Sequence, residues 1–355
     1  MKIVKKTAVF WLMLAAALFA SVSVRAQGET KLSVHVPDVG QGLCTAAESD
    51  GHWILYDGGG APSAAFVVSK LARMGAEKLD LIIASHYDDD HIGGLIAALY
   101  AFPVGEVFLP GYEADTVSER MLMQALEETG TSYRVPEIGT ELSFGEASLR
   151  VIGPPDYRAE MENDRCIAVK ITGGDVSFLC CGDAQQEEEE SILREEEDIS
   201  CTLYIASHHG SGGSGTGAFL HAASPYAALI SCGSENEFGH PAASALERLK
   251  EAGCRLWRTD RQGSIDLWTD GTYLYGDPAP CDDYTPGPLP KEEGSETREE
   301  NLSKWRYVLN LYSHKFHRPD CDSLEKISVR NRAFTNRTRH EVISMGYDPC
   351  GICDP

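Results

Sequence analysis

The chain has 355 residues, 43% of them hydrophobic, which gives room for two domains and leaves a sizeable core available. Its formal net charge of −23 argues against a generally basic nucleic-acid scaffold, but not against a nuclease whose divalent metals supply the positive charge that phosphate needs. The charge is uneven: residues 304–355 carry nine Lys and Arg against six Asp and Glu, a balance of +3, so the rest of the chain holds −26.

Lys2, Lys5 and Lys6 precede an apolar run from Ala8 to Val22, and Val24-Arg25-Ala26 offers a small residue at a cut. This predicts a signal peptide over residues 1–26, with an uncleaved amino-terminal anchor as the alternative. No Cys follows the run closely, which argues against a lipoprotein, and no second run approaches membrane-spanning length. The mature chain is therefore expected to be secreted or otherwise extracytoplasmic, without stable membrane association. All eleven cysteines lie in it, an odd number that cannot pair completely within one chain. Cys166, Cys180 and Cys181 sit in apolar runs and read as buried thiols.

The pattern predicts strands within 31–57 around a turn at Gly40-Gln41-Gly42, a helix over 63–75 and a strand over 79–84. A helix starting near 94, a strand over 104–109 and a helix over 121–128 follow. Strands are expected at 141–153, 166–172 and 175–181, then a helix over 185–197 whose glutamates read as a solvated face. Strands at 202–206, 226–231, 254–258 and 264–269, with a helix over 242–252, complete a domain spanning 27–276. Residues 277–303, with five prolines and then an acidic run, read as a linker. A small unit over 304–355 ends the chain.

Chemistry concentrates in Ser85-His86-Tyr87-Asp88-Asp89-Asp90-His91, directly after the apolar strand. Imidazole nitrogen binds borderline transition metals and carboxylate oxygen adds harder ligands. His86, Asp88 and Asp90 alternate along a loop and can converge on one ion, with His91 reaching a second. Gly93-Gly94 permit a tight turn into the next helix. Asp183 ends another apolar strand and could bridge two ions, or cap the helix that follows. His208 and His209 end a third strand, and either could complete a metal shell. His240 precedes Pro241 as a late ligand, a proton donor, or a packing residue.

These blocks resemble the metallo-β-lactamase superfamily, over about residues 31–276, and within it the soluble nuclease-like domain of the ComEC competence proteins. The resemblance rests on Val36-Pro37-Asp38-Val39-Gly40-Gln41-Gly42, Ile54-Leu55-Tyr56-Asp57-Gly58-Gly59, and the His86 to His91 run with Asp88 where a His is usual. It continues in Cys181-Gly182-Asp183-Ala184, Ser207-His208-His209-Gly210-Ser211, Gly239-His240-Pro241 and Arg258-Thr259-Asp260 with Gly263. It implies an α/β fold, a four-layer αββα sandwich, and a two-metal hydrolase. His86, Asp88 and Asp183 would help hold one ion; Asp90, His91, Asp183 and one of His208 or His209 the other. Asp90 and His240 would carry catalytic roles, with Asp57 and Asn163 orienting ligands from behind. The chain departs from the pattern in having no His between His91 and His208, where Asn163 or Asp164 could substitute. It also has Cys166 where Ser is usual and Leu43 where Asp is usual. The oxygen-rich set favours Mn²⁺ or a mixed site, with Zn²⁺ also open.

The substrate implied is DNA, cleaved at a phosphodiester by a metal-activated water. The rivals are hydrolysis of another ester (a phosphocholine, lactone or lactam) and a non-catalytic DNA-binding or surface protein with a degenerate site. Protein partners are not legible.

In the tail, His317, Cys321, Cys350 and Cys353 form two close pairs suited to a closed tetrahedral Zn²⁺, which a unit too small for a large core can use as a staple. A disulfide is the alternative, and His314 an alternative ligand. Tyr307 to His317 and Gly346 to Cys350 resemble the zinc module of the Ada DNA-repair proteins, with His317 replacing a Cys. Arg330, Arg332, Arg337 and Arg339 could contact phosphates or be ordinary surface.

Overall fold

The computed structural model describes residues 29–288 except 160 and 197, and most of 305–355. The expected signal peptide or anchor, most of the expected linker, His314 and Arg330 lie outside the described residues. The chain divides into two compact units between residues 289 and 290.

In the first unit the strands are β1 (Leu32–Val36), β2 (Cys44–Ser49), β3 (His52–Gly58), β4 (Leu79–Ile83), β5 (Val104–Phe108), β6 (Tyr133–Arg134), β7 (Glu141–Phe144), β8 (Ala147–Gly153), β9 (Ala168–Gly173), β10 (Val176–Cys180), β11 (Leu203–Ile205), β12 (Ala227–Ile230), β13 (Arg255–Arg258), β14 (Ile265–Thr269) and β15 (Leu274–Asp277). The main helices are α1 (Ala64–Met74), α2 (Asp89–Ala101), α3 (Val117–Thr129), α4 (Gln186–Glu195), α5 (Gly217–Ala223) and α6 (Ala243–Glu251). One sheet runs β15-β14-β1-β2-β3-β4-β5-β6 and the other β13-β12-β11-β10-β9-β8-β7.

Side chains from both sheets, among them Val34, Tyr56, Phe108, Leu149, Phe178 and Leu229, form one buried cluster between them. α1, α2 and α3 cover the outer face of the first sheet through Leu71, Leu95 and Leu122. α4, α5 and α6 cover the second through Ile192, Phe219 and Leu246. This is the expected αββα sandwich. Strands β3 to β6 and β10 to β13 are mutually parallel. Parallel strands carry function where their carboxyl ends open, and the candidate residues lie there.

Several elements differ from the sequence pattern for identifiable reasons. α2 starts at Asp89, not near 94, with Asp89 and Asp90 in its first turn, where the helix dipole favours acids. Asp90 and His91 are therefore helical. Gly93 and Gly94 form no turn: a Cβ on Gly94 would stand 1.9 Å from the Gly58 carbonyl oxygen, so glycine lets α2 press against β3. α5, β6 and β15 carry too little pattern to be anticipated. In α4, Glu188 and Glu189 are buried, correcting the solvated reading. Cys166 N–H donates to Glu188, and the amides of Gly215 and Thr216 donate to Glu189.

The Pro-rich stretch expected to open the linker is tied to the first unit as far as Gly287. Trp257 Nε1 donates to Pro278 O at 2.7 Å, Cys281 N to Leu256 O at 2.9 Å and Gly287 N to Pro241 O at 2.8 Å. Arg258, fully buried, makes a bidentate pair with Asp260 at 2.9 and 2.8 Å and donates to the carbonyls of Asp283 and Thr285.

The second unit is a sheet of β16 (Tyr307–Asn310), β17 (Lys315–His317), β18 (Arg332–Thr335) and β19 (Asp348–Pro349), in the order β18-β16-β17-β19. Among the described residues, no helix is long and apolar enough to cross a membrane.

Candidate metal centre

Asp183, three residues past β10, is the hub. Its Oδ1 stands 3.1 Å from His91 Nε2 and 3.6 Å from His209 Nε2; its Oδ2 stands 3.5 Å from His208 Nε2 and 4.0 Å from His86 Nε2. Asp90 Oδ2 lies 3.3 Å from His209 Nε2, and Asp88 Oδ2 lies 3.6 Å from His86 Nε2. Three elements deliver the histidines: the loop after β4, the first turn of α2 and the turn after β11.

The outward nitrogens explain the aim of the inward ones. Asp57, at the end of β3, accepts from Ser85 N at 2.8 Å, Ser85 Oγ at 2.7 Å and His91 Nδ1 at 2.8 Å. With its own proton given to Asp57, Ser85 Oγ accepts from His86 Nδ1 at 2.9 Å. His209 Nδ1 donates to Ser231 O at 3.0 Å. Each imidazole thus spends its N–H behind the site and presents a bare Nε2 inward. His91 Nε2 and His209 Nε2 face each other at 3.3 Å, and buried His86 Nε2 and Asp183 Oδ1 have no hydrogen-bond partner.

Imidazole nitrogens and carboxylate oxygens converging from separate elements, with His86 Nε2 and Asp183 Oδ1 left without a hydrogen-bond partner, call for a cation. The donor set fits a divalent metal. Two groups bring their ligand atoms within 4.8 Å of one another: His86, His91 and Asp183, and Asp90, His91 and His209. His91 belongs to both groups but has one inward nitrogen, so it can serve only one ion, while the two oxygens of Asp183 can serve both; Asp88 and His208 flank the groups.

The local electrostatics favour positive charge at the same place, carried by a second proton on the rings until a metal displaces it. Burial would lower the proton affinity of His91, but Asp183 and Asp57 beside it drive its pKa well above the ordinary value. Burial would raise Asp183, but His91 and His209 hold it well below the carboxylate range. Burial, then His208 and His209, push His240 down to about 4, so its ring is neutral at pH 7.

Three site residues hold left-handed backbone: Asp57 at φ 55°, His208 at φ 51° and His209 at φ 57°. Non-glycine residues rarely adopt it, and such strain concentrates at functional sites. Gly182, at φ 53°, fits where a Cβ would stand 2.7 Å from Ser85 Oγ, which lets Asp183 approach the His86 loop.

Every candidate of this site lies at the one rim. His209 points inward and is buried, whereas His208 is partly exposed and has Asn163 Nδ2 at 3.3 and 3.4 Å from its two ring nitrogens. His240 stands behind both, its ring 5.4 Å from that of His208. Gln41 Nε2 donates to His240 Nδ1 at 3.5 Å. Ser85, Ser231, Gln41 and Asn236 escaped the sequence reading. Ser85 alone had a usable signal, a small polar residue between an apolar strand and a candidate ligand. Cys166, in the place of a usual Ser, accepts from Asp183 N at 3.3 Å. Leu43 is buried core.

In the second unit the ligand atoms of His317, Cys321, Cys350 and Cys353 lie within 4.8 Å of one another. All three cysteines are free thiols. Amides point at two of the sulfurs, Ile352 N at Cys350 Sγ (3.4 Å) and Arg318 N at Cys353 Sγ (3.3 Å). Ser323 Oγ sits 2.9 Å from Cys321 Sγ and 3.0 Å from His317 Nδ1. Arg332 donates to the carbonyls of Leu324 and Ile327, and Arg339 to Pro355 O, so these two cations serve the unit's own backbone.

Residues 37–214 match the family described as the metallo-beta-lactamase superfamily. Among curated proteins, the chain is 27% identical over 259 residues to "Competence protein ComA" of Neisseria gonorrhoeae, covering 72% of this chain and 35% of that protein. It is 28% identical over 196 residues to "ComE operon protein 3" of Bacillus subtilis (strain 168), covering 55% and 25%. It is 29% identical over 234 residues to "Recombination protein 2" of Haemophilus influenzae, covering 64% and 28%. The chain thus spans about a quarter to a third of the length of these relatives.

Proposed function

The chain belongs to the metallo-β-lactamase superfamily, and from that premise we propose that it is an exported phosphodiesterase that cleaves DNA, with single strands preferred. That it is a metal-dependent hydrolase related to competence proteins follows from the family and the relatives. The finer reading rests on one observation above all: bare imidazole nitrogens from three elements converge on Asp183 with Asp88 and Asp90 beside them. An oxygen-rich rim with two adjoining ligand groups suits in-line displacement at a phosphodiester. Competence and recombination in the relatives' names support DNA as the substrate class. Export is read from Lys2, Lys5, Lys6 and the apolar run after them.

His86, Asp88 and Asp183 would help hold one divalent ion, and Asp90, His91, Asp183 and His209 the other, since a carboxylate can serve two ions whereas the one inward nitrogen of His91 can serve only one. Bound there, the metals supply Lewis acidity and a water acidic enough to attack at neutral pH. The chain's own contribution is positional and electrostatic. Asp57 fixes His91 directly and His86 through Ser85. Asn163 lies against His208. With Gln41 donating to Nδ1, neutral His240 carries its proton on Nε2 and serves as a donor to the phosphoryl or leaving oxygen.

In the tail, we assign His317, Cys321, Cys350 and Cys353 to one structural Zn²⁺. Against burial, the amides of Cys353 and Ile352 hold the Cys350 thiol below its ordinary range, whereas burial and the neighbouring thiols push Cys353 up to about 11, a proton that a bound cation would displace.

The test is hydrolysis of labelled single- and double-stranded DNA by protein stripped of metal and reloaded with Mn²⁺ or Zn²⁺, with Asp90→Asn beside it. Metal-dependent cleavage lost in the variant supports the reading. Two bound ions with turnover of a phosphocholine, lactone or lactam ester instead of DNA would move the substrate. Metal-independent DNA binding without any turnover would make this a binding protein.

A further inference from the structure

We infer that Phe238 is a stacking platform for an unpaired nucleobase of the substrate strand, an inference that rests on the phosphodiesterase reading above. Phe238 is 62% exposed, on the loop between β12 and α6. A single exposed apolar residue is ordinary; the way this one is held is not. One face of its ring stacks on His240, with centroids 5.7 Å apart and planes at 24°. His240 in turn lies 5.4 Å from His208 at the metal site. The exposed ring is therefore two aromatic contacts from the reacting centre.

The loop is built to hold that position. Asn236 Oδ1 accepts from Phe238 N at 3.2 Å and His240 N at 2.9 Å. Asn236 Nδ2 donates to Gly233 O at 2.7 Å and His240 O at 2.6 Å. Gln41 Oε1 accepts from Gly233 N at 3.2 Å, and Gly287 N donates to Pro241 O at 2.8 Å. A loop tied at both ends and through its middle has met its ordering cost before any ligand arrives.

Charge selects what the ring can bind. Residues 233–240 contain Glu235 and Glu237 and no Lys or Arg, so apart from neutral His240 at its end the loop offers no cation to a phosphate backbone. Contact must come through an uncharged face. Base–aromatic stacking is such a contact and is tolerant of sequence, since every base has a π-face. A base can reach the ring only when it has left its own stack, which makes single-stranded or frayed DNA the ligand class.

The experiment compares metal-loaded wild type, Phe238→Ala and Phe238→Trp on three substrates: a single strand, the same strand with abasic sites, and bis-para-nitrophenyl phosphate. Binding of a phosphorothioate strand that resists cleavage is read by fluorescence anisotropy. Phe238→Ala is expected to raise KM and Kd for the base-bearing strand by about 5- to 50-fold. That penalty should exceed the one on the abasic strand and small diester at least fivefold, and Trp should restore wild-type values. Unchanged KM and Kd in Phe238→Ala, with DNA still cut, would overturn the platform and leave the phosphodiesterase reading standing. Equal losses on all three substrates would also overturn it, by showing that Phe238 merely supports His240. A wild type that hydrolyses the small diester but neither cuts nor binds the single strand would overturn both.

Discussion

His91 Nδ1 lies 2.8 Å from Asp57 Oδ2, and both side chains are fully buried. The pair fixes which nitrogen of His91 faces Asp183. It also reaches His86, because Ser85 Oγ passes between Asp57 and His86 Nδ1. One carboxylate on β3 therefore sets two inward nitrogens on two other elements.

Asp57→Ala should lower metal affinity at the site by about 10- to 100-fold, the usual consequence of removing a group that orients a ligand. Asp57→Asn should lose less, because Asn tolerates the left-handed backbone of this position and its carbonyl can still accept from His91. Competition with a chromogenic chelator measures both. Wild-type affinity in the Ala variant would show that the two histidines orient themselves.

Cys166 carries the second expectation. Its sulfur accepts from the buried amide of Asp183 at 3.3 Å. Cys166→Ser keeps an acceptor and should hold turnover within about threefold, whereas Cys166→Val strands the amide at a cost of about 1–3 kcal/mol and should cut turnover more deeply. Steady-state rates and thermal melts of the two variants decide it. Identical behaviour of Ser and Val would mean the amide's bond to sulfur is idle.

The residues that meet at the rim were legible as candidate ligands because each group follows a run of buried strand residues. His86 to His91, Asp183 and His208-His209 all announce themselves by a charged or imidazole group where an apolar strand stops. What stayed hidden depends on partners far along the chain. Gly93-Gly94 look like a turn until Gly58 is seen to lie against them. The α4 glutamates look solvated, since nothing local tells that Cys166, Gly215 and Thr216 will donate to them. Pro278 to Gly287 has a linker's composition, and only the carbonyl and amide partners on β13 and Pro241 bind it to the domain. The sandwich itself followed from the family resemblance, because periodicity gives strands and helices but not the order in which two sheets close.

Glu189 makes stability depend on pH. Burial pushes its carboxyl up to about 7, against the opposing hydrogen bonds from Thr216 and Gly215. Between the unfolded carboxylate range and pH 7 the folded chain therefore holds a proton that the unfolded chain has lost, so this group's contribution falls as pH rises through that window. The full loss, present above pH 7, is ~3 kcal/mol. Glu189→Gln cannot ionise, so its stability relative to wild type should improve steadily from about pH 5 to pH 8. Parallel denaturant titrations across that range give the difference, and a constant offset would show that Glu189 does not titrate there.

The tail offers a test independent of turnover. Buried His317, with three thiols about it, forms a compact N/S pocket in a unit whose two apolar clusters are small. A metal there contributes its binding free energy directly to folding. Chelation should therefore unfold this unit and release one Zn²⁺ per chain beyond any ion held at the Asp183 site. Cobalt substitution should give the intense thiolate-to-metal absorption of a tetrahedral sulfur-rich site. Cys353→Ser should weaken that absorption and the unit's melting temperature together. Cys321→Ala should do the same from the other ligand pair, since both pairs are needed to close the shell. A metal-free chain whose second unit melts unchanged, with the thiols titrating as reactive groups, would mean that the small apolar clusters suffice and that the four residues are not a zinc site.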